Sequence, residues 1–172
     1  KQKLVPFGEF LPFENLFNKF GLKKITEGHG SFQEGIKQDN IKFEFLDILP
    51  LVCYEVIFTK FIQDSSPDTN LIVSISEDGW FGKSIGPDQH FAKSIFRAIE
   101  KGTFHLRAAN KGISAILDNK GSLIKHLDRN EAGNIEMEIP LIKSKNIKND
   151  LIFFILLFTY FIIFAFKKTK YE

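Results

Sequence analysis

The sequence predicts an α/β domain on a mixed sheet, followed by one membrane-spanning helix. Three observations predict it. Strand-like and helix-like segments alternate through residues 41–110, as they do when a parallel sheet is covered by helices. Two "NKG" turns, at residues 110–112 and 119–121, separate short apolar runs and read as consecutive hairpins. Residues 151–166, "LIFFILLFTYFIIFAF", contain no charge.

Each element follows from its residues. "LVPFGEFLP" (4–12) mixes two prolines and a glycine with apolar side chains and reads as a loop with buried anchors. "FENLFNKFG" reads as a short amphipathic helix ending at Gly21, and 22–40 as a polar loop. "IKFEFLDI" alternates as a strand, and "LPLVCYE" follows as a second, more buried strand ending near Cys53. "VIFTKFIQ" is helical in pattern. The run from Asp64 to Asn70, with two serines and Pro67 between them, is turn chemistry. "LIVSIS" is a continuous apolar and β-branched run, expected in a strand buried on both faces. "EDGWFGKSIGP" is a glycine-rich loop around the single tryptophan. "DQHFAKSIFRAIEKG" carries the clearest helix signals. Pro87 precedes it, Asp88 lies in its first turn, Phe91, Ile95, Ala98 and Ile99 share a face, and Gly102 ends it. "FHLRAAN", "ISAILD" and "SLIKHL" read as hairpin strands, and "NIEMEIP" as a last alternating strand.

The uncharged 151–166 segment would span about 24 Å as a helix, slightly less than a hydrocarbon core of about 30 Å. Lys167, Lys168, Lys170 and Tyr171 can extend it by snorkelling. The competing reading is a buried core helix, but the segment is apolar all round and lies at the end of the chain. The lysine cluster places 167–172 in the cytoplasm and the globular part on the opposite side. The expected layout is a domain over 1–140, a linker over 141–150, the span and the tail. The chain opens on lysine, not methionine, and reads as the C-terminal part of a longer protein.

A net charge of +2, with both signs interspersed, argues against a nucleic-acid partner. A single cysteine forms no internal disulfide. The four histidines are scattered and no metal motif is present, so no metal site is expected.

That cysteine is Cys53, in "LPLVCYEVIF". A lone cysteine is more often a buried small hydrophobe than a nucleophile. Here it closes an apolar strand before a helical pattern, the turn at which a nucleophile can stand exposed above a sheet. A nucleophilic cysteine needs a base and an electrophilic stabiliser. Glu9, Glu55 and Glu77 are candidate carboxylates; periodicity does not select a lysine.

"KQKLVPFGEFLPFE", "CYEVIF" and "DGWFGKSIGPDQHF" together resemble the catalytic domain of the apolipoprotein N-acyltransferase family, within the nitrilase or carbon–nitrogen hydrolase superfamily. The resemblance runs from Lys1 to about Leu127. It implies a nitrilase-type α-β-β-α sandwich, N-terminally incomplete, followed by the membrane helix. It implies Cys53 as nucleophile, Lys1 as the oxyanion-stabilising lysine (Lys3 in a shifted register) and Glu9 as an essential glutamate positioning them. Tyr54 and Glu55 match the residues after the nucleophile, the Tyr54 N–H serving as oxyanion donor. Trp80 and Phe81 match aromatics beside the acyl-chain entrance, although Trp80 as a core anchor and Glu55 as a helix-start carboxylate stay open. Arg97 and Glu100 are expected as a local ion pair, and Arg107 and Asn110 as fold residues near the site.

The implied reaction moves a phospholipid acyl chain through a cysteine thioester to the N-terminal amine of a diacylglyceryl-cysteine apolipoprotein. Its partners are the phospholipid, the apolipoprotein and the lipid bilayer, and it needs no cofactor. The implied place is the bacterial inner membrane, with the catalytic domain in the periplasm. Two departures stand. The family's general-base glutamate lies upstream of the lysine, beyond this sequence. Glu77, in "SEDGWF", replaces a neutral residue. A small-substrate amidase and an inactive membrane-anchored remnant lacking the base are the alternatives.

Overall fold

The computed structural model describes residues 1–13, 16, 19–21, 32–36, 40–143 and 150–170. Six strands form one sheet in the order of the chain: β1 (Ile41–Phe43), β2 (Leu46–Val52), β3 (Leu71–Glu77), β4 (Phe104–Asn110), β5 (Ser114–Leu117) and β6 (Leu123–Leu127). β2, β3 and β4 are parallel to one another, and the other pairs are antiparallel. The parallel connections carry helices, as they must to return the chain to the starting edge. A 3-10 turn (Cys53–Ile57) and α1 (Thr59–Gln63) join β2 to β3. A second 3-10 turn (Asp78–Phe81) and α2 (Gly86–Lys101) join β3 to β4.

Strand alternation divides the core into two faces. Leu49, Leu51 and Ile72 meet Val56 and Ile62 beneath the first connection, and Ala115 and Leu117 meet Phe91 and Ala98 of α2. On the other face Leu71, Phe104 and Ile116 form a third cluster with Ile135, Ile139 and Ile142. The mixed α/β sheet is as expected. Among the described residues there is one sheet and one helical layer.

Two expectations are corrected. "IKFEFLDI" is not one strand: the chain reverses at Glu44 and Phe45, with Glu44 at φ 50° and Phe43 paired to Leu46. Both arms alternate, and the two turn residues lack the Asn-Gly chemistry that marks such a reversal. "NIEMEIP" forms no strand; its isoleucines lie across the third cluster instead of extending the sheet. The C-terminal helix, α3, runs over Asp150–Lys170 and contains the expected 151–166, lysine continuing a helix readily. Its described side chains from Ile152 to Phe164 are all exposed. Among the described residues no helix is long and apolar enough to cross a membrane. The helix expected at 13–21 and the loop at 22–40 fall largely outside the described residues, as does most of the 141–150 linker.

A seam of polar side chains is buried between α2 and the sheet. Arg107, Ser74 and His105 point to the helix side, with Ser94 above them. His105 Nδ1 donates to Ser94 O at 2.9 Å, and its Nε2 accepts from Ser74 Oγ at 2.8 Å. Burial, with Arg107 and Arg97 nearby, outweighs the Ser94 bond and pushes the imidazole down to about 4. The unfolded chain would bind this proton near pH 6.5. Between those values the unfolded state holds the extra proton, so stability falls as pH drops from about 6.5 to about 4, by roughly 3 kcal/mol. Melting temperature against pH should therefore slope more steeply in the unsubstituted protein than in His105→Gln over this window. Parallel slopes would contradict the assignment.

Candidate functional site

β2 ends where the apolar run meets Cys53, and Cys53 opens the 3-10 turn with φ 55°. A non-glycine residue in this left-handed region is uncommon and costs conformational energy. The strand thus stops abruptly, and a half-buried thiol stands at the carboxyl end of the parallel strands, where α/β sheets place their ligands.

Glu55 explains how the turn is held. Its carboxylate is buried and accepts three backbone N–H bonds: from Gln2 at 2.5 Å, Lys3 at 3.1 Å and Val52 at 2.7 Å. The bond to Val52 is local and closes the turn, in the manner of a capping box. The bonds to Gln2 and Lys3 cross 53 and 52 positions in sequence and fasten the Lys1 segment beside the Cys53 turn.

Lys1 and Glu9 meet through a tight loop. The loop reverses over Val5–Phe10, with Glu9 N donating to Val5 O at 2.8 Å. Glu9 then accepts from Lys1 Nζ at 2.6 Å on both oxygens, and from Val5 N at 2.8 Å. Both side chains are mostly shielded, so this ion pair is less screened than a surface pair. Lys3, the alternative in a shifted register, instead reaches Glu34 at 3.7 Å and is about half exposed.

Of the other expected residues, Tyr54 packs edge-on against Phe58. Trp80 and Phe81 lie on the 3-10 turn after β3. Trp80 is 59% exposed, which removes the core-anchor reading. Phe81 is half-buried against the His90 ring, centroids 5.5 Å apart. Glu77 is spent on structure: it accepts from Gly79 N at 2.8 Å and from Asn110 Nδ2 at 2.5 Å. Arg97 and Glu100 form the expected ion pair at 2.6 Å.

One cluster beside the Cys53 turn escapes the sequence reading except for Arg107, the expected fold residue near the site. Asp78 is buried and accepts from Arg107 Nη2 at 2.6 Å and Ser76 Oγ at 2.7 Å, with His90 Nδ1 at 2.9 Å. Burial alone would raise its carboxyl, but His90, Arg107 and Ser76 together hold it down at about 2. Gly112 is required here, because a Cβ would collide with the Asp78 carboxylate. His90 Nε2 lies 3.2 Å from the Cys53 carbonyl oxygen. The only local signal is that His90 falls inside the "GPDQHF" block. Nothing in its spacing points to Cys53, 37 residues away.

The arrangement gathers a thiol, a lysine ammonium paired with a carboxylate, and a buried glutamate joining their backbones. This inventory suits nucleophilic attack on a carbonyl, with a cation beside the developing negative charge. Among the described residues no group of His, Cys, Asp and Glu could hold a metal ion.

A family model described as carbon-nitrogen hydrolase matches residues 5–149. The chain is 40% identical over 140 residues to an apolipoprotein N-acyltransferase of Rhizobium leguminosarum bv. trifolii, covering 81% of this chain and 26% of that protein. It is 43% identical over 144 residues to an apolipoprotein N-acyltransferase of Rickettsia prowazekii, covering 81% and 28%. It thus spans about a quarter of the length of the curated relatives it matches. In structure it is similar to a carbon-nitrogen hydrolase from Helicobacter pylori, with TM-score 0.53, 10% identity and coverage of 65% of this chain and 45% of that one. A CN-hydrolase superfamily protein from Xanthomonas campestris gives TM-score 0.51 and 19% identity, covering 66% and 46%. At those identities the structures speak to the fold, a nitrilase-type α/β fold with a mixed sheet, while the family match takes in the Glu9 loop and the Cys53 turn alike. The chain belongs to the carbon–nitrogen hydrolase family.

Proposed function

We propose that this chain carries the acyl-transfer site of an apolipoprotein N-acyltransferase. Cys53 Sγ, as thiolate, attacks the ester carbonyl of a phospholipid acyl chain. The Lys1 ammonium and the Tyr54 N–H stabilise the tetrahedral oxyanion. The oxyanion collapses, the glycerol oxygen leaves with a proton as lysophospholipid, and a thioester remains on Cys53. The free α-amine of a diacylglyceryl-cysteine apolipoprotein then attacks the thioester. The amide forms, the C–S bond breaks, the amine proton is lost and the thiolate returns. Glu9 and Glu55 are committed to Lys1 and to backbone amides, and the thiol proton goes to the general-base glutamate that the family resemblance places upstream of Lys1.

The observation that carries this reading is the Glu55 carboxylate, which fastens the backbone next to Lys1 to the backbone before Cys53. Burying a carboxylate is costly on its own, and the three amide donors that offset this cost tie the two loops into one register. The relatives named apolipoprotein N-acyltransferase support an apolipoprotein amine as the acyl acceptor.

The same reading takes residues 151–166 as a transmembrane helix beside which both lipid substrates are reached, with 1–140 as the catalytic domain on the periplasmic face of the inner membrane and 167–172 as a cytoplasmic tail. Its support is that α3 is uncharged and exposed all round from Ile152 to Phe164, with the Thr159 hydroxyl returned to the helix's own Ile155 carbonyl, as a helix surrounded by lipid would be. The exposed Trp80 and the adjoining Phe81 would flank the acyl chain. The sandwich's second sheet would cover Ile41, Phe43 and Ile75, which are exposed on the sheet face opposite the helices.

The test supplies the protein, as the cell makes it, with phospholipid and a diacylglyceryl-cysteine peptide. The expected product is the N-acylated peptide and one lysophospholipid per turnover. Free fatty acid in its place, unaffected by the peptide, would make the protein a hydrolase. Lys1→Met should lower kcat by about 10²- to 10³-fold with KM little changed, as loss of an oxyanion partner does. An equal loss in KM alone would assign Lys1 to binding.

A further inference from the structure

We infer that His90 is a positioning residue that aims the oxyanion donor of this site, an inference that rests on Cys53 acting as the nucleophile. The Cys53 carbonyl oxygen and the Asp78 carboxylate can both only accept, so the 3.2 Å contact at Nε2 and the 2.9 Å contact at Nδ1 are both donated, by a His90 ring that carries hydrogen on each nitrogen and is ion-paired with Asp78. That carbonyl and the Tyr54 N–H belong to one trans, planar peptide unit. Fixing the direction of the C=O therefore fixes the direction of the N–H, which points the opposite way. The peptide needs fixing. Cys53 stands at φ 55°, a conformation that persists only when its surroundings over-determine it.

The imidazole is itself held from behind. Asp78 Oδ1 lies 2.9 Å from Nδ1. Asp78 is pinned in turn by Arg107 from β4 and Ser76 from β3. The Phe81 ring covers the imidazole. Ring tilt is thereby set by three elements of the fold. The far end of the same turn is held by the same helix, since Arg97 Nη1 donates to the carbonyls of Val56 and Ile57, both at 3.3 Å. His90 and Arg97 are seven residues apart on α2, two helical turns on one face. α2 thus grips the Cys53 turn at both ends, and His90 is the grip on the reactive end.

Acylation and alkylation of Cys53 separate this role from a merely structural one. Attack on an ester passes through an oxyanion, whereas alkylation by iodoacetamide is a displacement at saturated carbon with no oxyanion to stabilise. His90→Asn keeps a donor near the Nδ1 position and loses the one at Nε2; His90→Gln keeps a donor near Nε2. In His90→Asn the rate of thioester formation from phospholipid should fall about 10²-fold, while the iodoacetamide rate stays within about threefold. His90→Gln should recover acylation to within about tenfold of the unsubstituted protein. A fall in acylation accompanied by faster alkylation and a lowered melting temperature would assign His90 to folding and overturn the inference. So would unchanged acylation in His90→Asn, or an equal loss in both variants at unchanged alkylation. A thioester absent from the unsubstituted protein would overturn the nucleophile reading itself, and the inference with it.

Discussion

Cys53→Ser should reduce N-acyl transfer by on the order of 10⁴-fold or more while leaving the fold intact, as measured by turnover and by melting temperature. The size of the effect follows from the role. Loss of a covalent nucleophile removes the two-step route, and what remains is binding and oxyanion stabilisation. Serine is nearly isosteric, so the half-buried position tolerates it, and the strained φ is the same for both residues. Its hydroxyl, however, is far less acidic and needs a base in contact during attack. A loss smaller than tenfold would mean that Cys53 is the buried small hydrophobe that a lone cysteine more often is. Melting temperature guards against the trivial outcome in which the variant unfolds.

Glu55→Gln should cost about as much as a catalytic residue although its carboxylate need touch no substrate. The carboxylate offers lone pairs to three amides at once: Gln2, Lys3 and Val52. Glutamine keeps one acceptor oxygen and turns an NH₂ toward the remaining N–H groups. Either the Val52 bond or the Gln2 and Lys3 bonds must then fail. A buried donor left unpaired costs about 1–3 kcal/mol, more where the lost partner was charged. The functional loss should exceed what that destabilisation explains. If the Lys1 segment detaches from the Cys53 turn by even about 1 Å, the ammonium leaves the oxyanion and roughly 10²-fold in kcat goes with it. The measurement is kcat at a temperature where the variant is fully folded by near-UV circular dichroism. Wild-type kcat there would reduce Glu55 to a stability element.

The candidate site was legible in the sequence where its residues fall in contiguous blocks. Lys1 and Glu9 sit eight residues apart in one motif, and the structure pairs them at 2.6 Å. Cys53 and Glu55 share another block, and the strand-to-turn junction falls where the apolar run ends. What was not legible depends on pairing across the sheet. His90, Asp78 and Arg107 come from α2, the turn after β3 and β4, and they converge only because β3 lies parallel to β4 with Ser74 opposite Arg107. No local period announces such a meeting. The same limit explains the hairpin at Glu44 and Phe45, where alternation runs on through a turn without turn residues. It also explains residues 134–140, whose alternating isoleucines reflect packing across a sheet face and not membership of the ladder. The glutamates show the converse. Glu9, Glu55 and Glu77 looked alike as carboxylates in apolar or glycine-rich settings. Their partners alone tell them apart: an ammonium for Glu9, three amides of two loops for Glu55, and a turn amide with Asn110 for Glu77.

The central claim is that Cys53 carries an acyl group taken from phospholipid. The direct measurement incubates the protein with phospholipid of known acyl composition, without any amine acceptor, and digests it for mass spectrometry. The account predicts a peptide containing Cys53 that is heavier by one acyl group, sensitive to hydroxylamine, and discharged when a diacylglyceryl-cysteine peptide is added. An acyl adduct that persists in Cys53→Ser, or an unmodified Cys53 peptide in a preparation that turns over, would contradict it.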